Sequence, residues 1–316
     1  MSAIIKSGWS KPSNILFASE CSPNEKALAF ALAEAAAFNA ELIILHACDC
    51  EDRDEPAELT LGGHSDATVH QHPLESVVQR AADIGVHCKI VVRRGVAADQ
   101  ILTFLRHRRV DRVVMGTHSP GPVGKLLVGS VAEAVIRNAT VPVCVVGPNV
   151  IEGTFRNPVT KKILCDVSKP HAKEMVVNFA AKLAAERNAG LILQQVIPPQ
   201  ERSLVLADSS IQKIEAELPT LVPSRLRSKV SVLTRVTLGD PIEELLYQSR
   251  CQQANLIVLG AQGASHFAAV THAAPVYKVL AYAPCPVIAV SPLVLGKFEA
   301  QRETLCSTVN YIAGVI

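Results

Sequence analysis

Two stretches of this chain, 144 residues apart, are recognisably the same sequence. VDRVVMGTHS (110–119) returns as ANLIVLGAQG (254–263), and TVPVCVV (140–146) returns as PCPVIAV (284–290). Gly95 pairs with Gly239, Gly116 with Gly260 and Pro142 with Pro286 at that one offset. Upstream, SNILFASECS (13–22) answers KKILCDVS (161–168), and FNAELIILHA (38–47) answers RNAGLILQQV (187–196). There the offset drifts, to 146 for Glu20 and Asp166 and to 149 for Asn39 and Asn188. Solenoid units repeat every 20–50 residues or so, so a period this long is a duplicated domain. The drift puts insertions and deletions in the early loops and the middle of each copy, where connections tolerate them. GPNVIEGTFRNP (147–158), rich in Gly, Pro and Asn, separates the copies. The expected units are residues 1–150 and 151–292, followed by a tail over 293–316 that is partly an amphipathic helix.

Within each copy, apolar runs and helical patterns alternate. In the first, ILFAS is a strand, and 24–38 is an Ala-rich helix with Leu28, Ala31, Leu32 and Ala35 on one face. Ser22-Pro23-Asn24-Glu25 predicts its start, with serine as N-cap, proline at the first helical position and glutamate closing a capping box. Asn39 suits its left-handed stop. The strand ELIILHA, a polar stretch, a helix near 74–84 and the strand HCKIVVRR follow. A helix near 97–108, the strand RVVMG, a helix from Ser130 and the strand VPVCVV complete the copy. Strands apolar on both faces and separated by helices predict parallel sheets covered on both sides. The fold class is therefore α/β, as two tandem doubly wound domains, each with a five-stranded parallel sheet. Aromatic residues make up only 4% of the chain and apolar residues 49%, which suits small-residue helices packed on β-branched strands.

The same composition narrows the functional classes. Lys plus Arg number 31 and Asp plus Glu 29, a net charge of +2 that generates no field on the scale of nucleic-acid binding. The run Arg106-His107-Arg108-Arg109 ends a helix, where cations complement the dipole. No apolar run reaches the roughly 18 residues of a membrane helix, and MSAIIKSGWSKP lacks the apolar core and cleavage site of a secretion signal. The nine cysteines are an odd number spread along the chain, a pattern of reduced thiols rather than a disulfide framework. The expectation is a cytoplasmic protein that binds neither nucleic acid nor membrane.

In open parallel sheets, ligands bind beyond the carboxyl ends of the strands. Two loops of each copy reach that rim: Ser19-Glu20-Cys21-Ser22 and Gly116-Thr117-His118-Ser119 in the first, Cys165-Asp166-Val167-Ser168 and Gly260-Ala261-Gln262-Gly263 in the second. In the first copy the second loop runs on to Gly129-Ser130 at a helix start, where free N–H groups and positive partial charge attract anions. Other constellations are weaker. Gly121-Pro122-Val123-Gly124-Lys125 departs from a P-loop at Ser119 and Leu126. Cys48-Asp49-Cys50 with His64, His70 and His72 matches no zinc spacing, so no metal site is assigned. Cys21 and Cys165 flank the first-turn acids, and the simpler reading of each is a small residue closing a strand. His118 is the one histidine kept as a ligand contact. No nucleophile–base pair or metal-binding carboxylate pair stands out, so no catalytic residue is assigned and at most weak hydrolysis is expected.

Together, the element order and these loops resemble the universal stress protein family. Its nucleotide-binding members carry Gly-x2-Gly-x9-Gly-[Ser/Thr] after the fourth strand and an aspartate in a turn after the first. The first copy reads Gly116-x2-Ser119-x9-Gly129-Ser130, with Glu20 in place of the aspartate. The second reads Gly260-x2-Gly263-x9-Ala273-Ala274 and keeps Asp166 and Ser168. The resemblance covers nearly all of 13–291. It implies a stress-response protein that binds ATP or a related adenine nucleotide, with or without Mg, mainly in the first copy, as a sensor or regulator. Adenine would lie near Glu20 and Ala47 there, or near Asp166 and Val196 in a weaker second site. It also implies that the last strands pair the copies into an internal pseudo-dimer, with association of whole chains into a homodimer left open. The half-matching motifs support an alternative, an interaction protein without nucleotide in which both pockets have decayed. The pyrophosphatase-type Ser-Gly-Gly-x-Asp-Ser loop is absent.

Overall fold

The structure, a computed structural model, describes residues 11–19, 24–48, 58–61, 74–117, 128–156, 161–168, 173–201, 208–261, 275–291 and 293–294. The first copy contributes β1 (Asn14–Ser19), α1 (Glu25–Phe38), β2 (Glu41–Cys48), β3 (Glu58–Leu61), α2 (Glu75–Asp83), β4 (Cys88–Arg94), α3 (Ala97–His107), β5 (Arg112–Gly116), α4 (Ser130–Asn138) and β6 (Val143–Val146). After a 3-10 turn at Glu152–Thr154, the second contributes β7 (Lys162–Asp166), α5 (Lys173–Arg187), β8 (Gly190–Ile197), α6 (Asp208–Glu217), α7 (Ser224–Arg227) and β9 (Val232–Leu238). It ends with α8 (Pro241–Cys251), β10 (Leu256–Gly260), α9 (Pro275–Tyr282) and β11 (Val287–Val290).

These strands form one sheet of eleven, in the order β3-β4-β2-β1-β5-β6-β11-β10-β7-β8-β9. Each copy supplies five parallel strands in the same internal order, as the alternation of elements predicts. Two pairings are antiparallel. β6 meets β11, with Cys144 opposite Ile288, and this joins the copies. β3, inside the stretch read as polar, adds an edge strand to β4.

Because strand side chains alternate, each strand feeds two cores. Ile15 and Phe17 of β1 pack with α1 and α2, whereas Leu16 packs with α3 and α4. Both cores continue through the second copy, one under α5 and the other under α8 and α9. The helix boundaries follow local chemistry. Asn24 caps α1, its side chain accepting from Ala27 N at 3.0 Å. The cap is thus Asn24 rather than the expected Ser22, which lies outside the described residues. Asn39 ends α1 at φ 50°, and its repeat partner Asn188 takes φ 51° after α5.

The copies are bound by more than the β6–β11 pair. Ser291 Oγ donates to Ala139 O at 2.9 Å, Asn149 Nδ2 to Ala281 O at 3.0 Å, and Ile151 N to Pro284 O at 2.9 Å. At Gly147 a Cβ would sit 2.4 Å from Leu280 O, so the backbones of the two copies pass closer than any side chain allows. In the connecting segment, Phe155 meets Phe30 of α1 edge to face at 5.4 Å.

Candidate functional site

The carboxyl ends of β1, β2 and β5 lie side by side, because β1 pairs with both others in parallel register. Ser19 therefore stands beside His46, whose Nδ1 lies 3.2 Å from Ser19 O. Ala47 follows at the half-buried end of β2, and Gly116 closes β5. A Cβ on Gly116 would meet Asn24 Cβ at 2.9 Å, so this glycine lets the cap of α1 close against the end of β5. Across the same rim, Gly129 is the N-cap of α4 and Ser130 its first residue. Among the described residues no side chain caps this end, and Ser130 is exposed. The first turn of a helix has no intrahelical acceptors for its N–H groups, and such a start favours an anion. The structure brings Ala47, Gly116, Gly129 and Ser130 to one side of the sheet. Glu20, His118 and Ser119 lie outside the described residues, as does Lys125.

The second copy repeats the arrangement and surrounds a cleft of about 190 Å³. Asp166 ends β7, and its Oδ1 accepts from Ser168 N at 3.0 Å, forming the acidic turn that the repeat predicts. Ser168 Oγ then accepts from Val196 N at 2.9 Å, tying that turn to β8. Asp166, Ser168, Val196 and Gly260 all line the cleft. Here the glycine is under less steric demand, for a Cβ on Gly260 would lie 3.2 Å from Val176 Cγ2. Gly263, Ala273 and Ala274 lie outside the described residues.

Several lining residues were not singled out from sequence: Gln195, Pro198, Glu201, Pro241, Ile242, Leu245, Leu259, Val276 and Val279. A signal existed for Pro241, since Asp240-Pro241 is a helix start at the rim, with Asp240 Oδ1 accepting from Ile242 N and Glu243 N. Glu201 had none, being the end of a short turn after Pro198. At the base of the site, Lys173 Nζ donates to Gln195 Oε1 at 2.6 Å, and burial lowers the pKa of its ammonium. Cys165 is fully buried, and desolvation followed by the Asp166 charge raises its thiol pKa well above the ordinary value. It is therefore a core residue rather than an exposed thiol.

The family model described as the universal stress protein family matches the chain twice, over residues 12–147 and 160–291. The chain belongs to the universal stress protein family. Two curated universal stress proteins of Methanocaldococcus jannaschii are similar to it, at 40% and 29% identity over 76 residues, or 24% of this chain in each case. These matches take in 45% and 47% of the relatives, so the chain spans about half the length of the curated relatives it matches. Among solved structures, a universal stress protein from Archaeoglobus fulgidus aligns with 88% of this chain and 98% of its own, with TM-score 0.58 and 15% identity. A functionally unknown protein from Pseudomonas aeruginosa PAO1 aligns with 94% and 99%, with TM-score 0.59 and 14% identity. At such identities the likeness establishes a shared fold across both copies. In this tandem universal stress protein, each copy carries its own rim at the carboxyl ends of its strands.

Proposed function

We propose that this universal stress protein binds ATP or a related adenine nucleotide in its first copy and acts in the stress response as a sensor or regulator. The observation that carries the reading is the start of α4. Among the described residues Gly129-Ser130 stands there without a side-chain cap, on the same rim as Ala47 and Gly116. Backbone N–H groups, the serine hydroxyl and the helix dipole are the chemistry a phosphate needs. The base would sit towards Ala47 and Glu20, with His118 and Ser119 of the phosphate loop as further contacts. Occupancy would then alter the surface between Gly116 and Ser130 that a partner reads. The functional units of this reading are residues 1–150 and 151–292, with 293–316 appended. A cytoplasmic setting suits it, since the six described cysteines are all free.

The test is to denature freshly purified protein and resolve the supernatant by ion exchange at 260 nm, with Gly129→Ala alongside. A near-stoichiometric adenine nucleotide that the variant lacks supports the proposal. An empty wild type whose melting temperature ignores added ATP refutes it.

One observation favours the second reading, an interaction protein without nucleotide. Gly116 is fully accounted for by its packing against Asn24, so this glycine needs no ligand to explain it.

A further inference from the structure

The repeat does not stop at the last strands. After β6 the chain reads Gly147-Pro148-Asn149-Val150-Ile151-Glu152-Gly153-Thr154-Phe155, and after β11 it reads Ser291-Pro292-Leu293-Val294-Leu295-Gly296-Lys297-Phe298. With one residue deleted from the second stretch, proline, valine, glycine and phenylalanine recur in the same order. In the first copy this stretch is a strap. Val150 is buried, Ile151 N donates to Pro284 O at 2.9 Å, and Phe155 meets Phe30 of α1 at 5.4 Å. The described part of the second stretch begins in the same way. Val294 is buried in the same core as Val150. Its N–H donates to Ser291 Oγ at 3.3 Å, where Val150 N donates to Gly147 O at 3.3 Å.

The seat of the strap recurs as well. Asn39 and Asn188 end α1 and α5 at an offset of 149, and the same offset carries Phe30 onto Phe179. Ala31 and Ala35, beside Phe30 in the core, answer to Ala180 and Ala184 beside Phe179. Both phenylalanines are buried. The deleted residue falls at the 3-10 turn Glu152–Thr154, where Gly153 has open space around it and a connection tolerates shortening. We infer that residues 295–298 form a second strap and seat Phe298 against Phe179, so that α5 holds a docking site for the chain's own continuation. An aromatic ring placed on another in this way adds to the core both its buried area and the preference of ring edges for ring faces. The second copy then closes at Phe298, as the first closes at Phe155, and only 299–316 is appended beyond the repeat.

Double-mutant cycles on the full chain test this, read as urea midpoints, with Phe155→Ala as the internal reference. Phe298→Ala should lower the midpoint, as Phe155→Ala does. Phe298→Ala combined with Phe179→Leu should lower it by less than the sum of the two single shifts, because each substitution removes part of one contact. Phe179→Leu keeps an apolar side chain in the core. Phe298→Leu should fall between wild type and Phe298→Ala, and it replaces Phe298→Ala in the cycle if the double variant does not fold. A midpoint unmoved by Phe298→Ala, or single shifts that simply add, overturns the inference. So does an effect of Phe298→Ala that grows with protein concentration, since that gives the seat on α5 to the tail of a second copy.

Discussion

Arg187, the last residue of α5, donates to both carboxylate oxygens of Glu34 in α1, and so binds the second copy to the first. Arg112 of β5 donates to the same carboxylate, and both guanidinium groups lie over the Phe38 ring, at 5.6 Å for Arg112 and 5.3 Å for Arg187. Glu34 and Arg112 are buried, and Arg187 keeps 19% side-chain exposure. Glu34→Gln leaves two guanidinium groups facing a neutral amide and should cost about 3–5 kcal/mol. Arg187→Met should cost less, because Arg112 still neutralises Glu34 and the Met side chain, though shorter, keeps apolar surface towards Phe38. Urea midpoints of the two variants decide the order. The reverse ranking would show that the network is not centred on Glu34.

Gly116 and Gly260 are repeat partners with unequal steric demands. Gly116→Ala drives a methyl group into Asn24 and disturbs the cap on Ala27 N, with an expected loss of about 1–3 kcal/mol. Gly260→Ala meets only one methyl of Val176 and should cost clearly less. Thermal melts of the two single variants test the asymmetry. Nucleotide binding lost in Gly116→Ala is therefore a poor assay of phosphate contact, which is why Gly129 and Ser130 are the positions to substitute.

The order of elements was legible because each signal was local and doubled. Apolar strands, Asn39 with Asn188, and Gly95 with Gly239 all recur in the second copy. β3 was not legible, because its four residues, ELTL, owe their strand character to pairing with β4 and not to any period of their own. The cap of α1 was placed two residues early, since Ser22 and Asn24 are both good caps and only the path of the chain chooses between them. Glu34 sits in an Ala-rich helix and gives no local hint that its partners are 78 and 153 residues away. At the site, Asp166 and Gly260 could be placed together from the strand ends, and Val196 from the family resemblance. Glu201 and the walls from α8 and α9 could not, because they enter by tertiary packing.

Three buried thiols and the half-buried Cys88 predict an alkaline loss of stability. Burial, with a smaller contribution from the Glu41 charge, pushes Cys88 up to about 12, and burial likewise raises Cys144, Cys165 and Cys285. Their folded pKa values lie above the unfolded value of 9.0, so their contribution is intact below that pH. Above it the unfolded chain releases protons that the folded chain keeps, and stability falls by about 1.4 kcal/mol per pH unit for each thiol. Urea midpoints from pH 8 to 11 should decline, and Cys285→Ala should show a shallower slope than wild type. At neutral pH, the exposed Cys251 should react with a thiol reagent well before these four.

Ser130→Ala removes one hydroxyl donor from the start of α4 without touching the helix backbone. If that hydroxyl meets a phosphate, ATP affinity falls about ten- to hundredfold, with the melting temperature of the empty protein unchanged. Equilibrium dialysis with ATP is the measurement, and an unaltered affinity removes Ser130 from the site.

The antiparallel contact of Val143–Val146 with Val287–Val290 has a consequence for how this protein can change over time. Two identical subunits joined along such an edge would express every substitution twice, once in each pocket. Here the partner is tethered to the same chain, so the pairing survives dilution and cannot be exchanged for another molecule's. A substitution then alters one pocket and spares its sibling. Ala273-Ala274 could replace a Gly-Ser pair in one half while Gly129-Ser130 persisted in the other, and every molecule carries both versions in fixed one-to-one proportion.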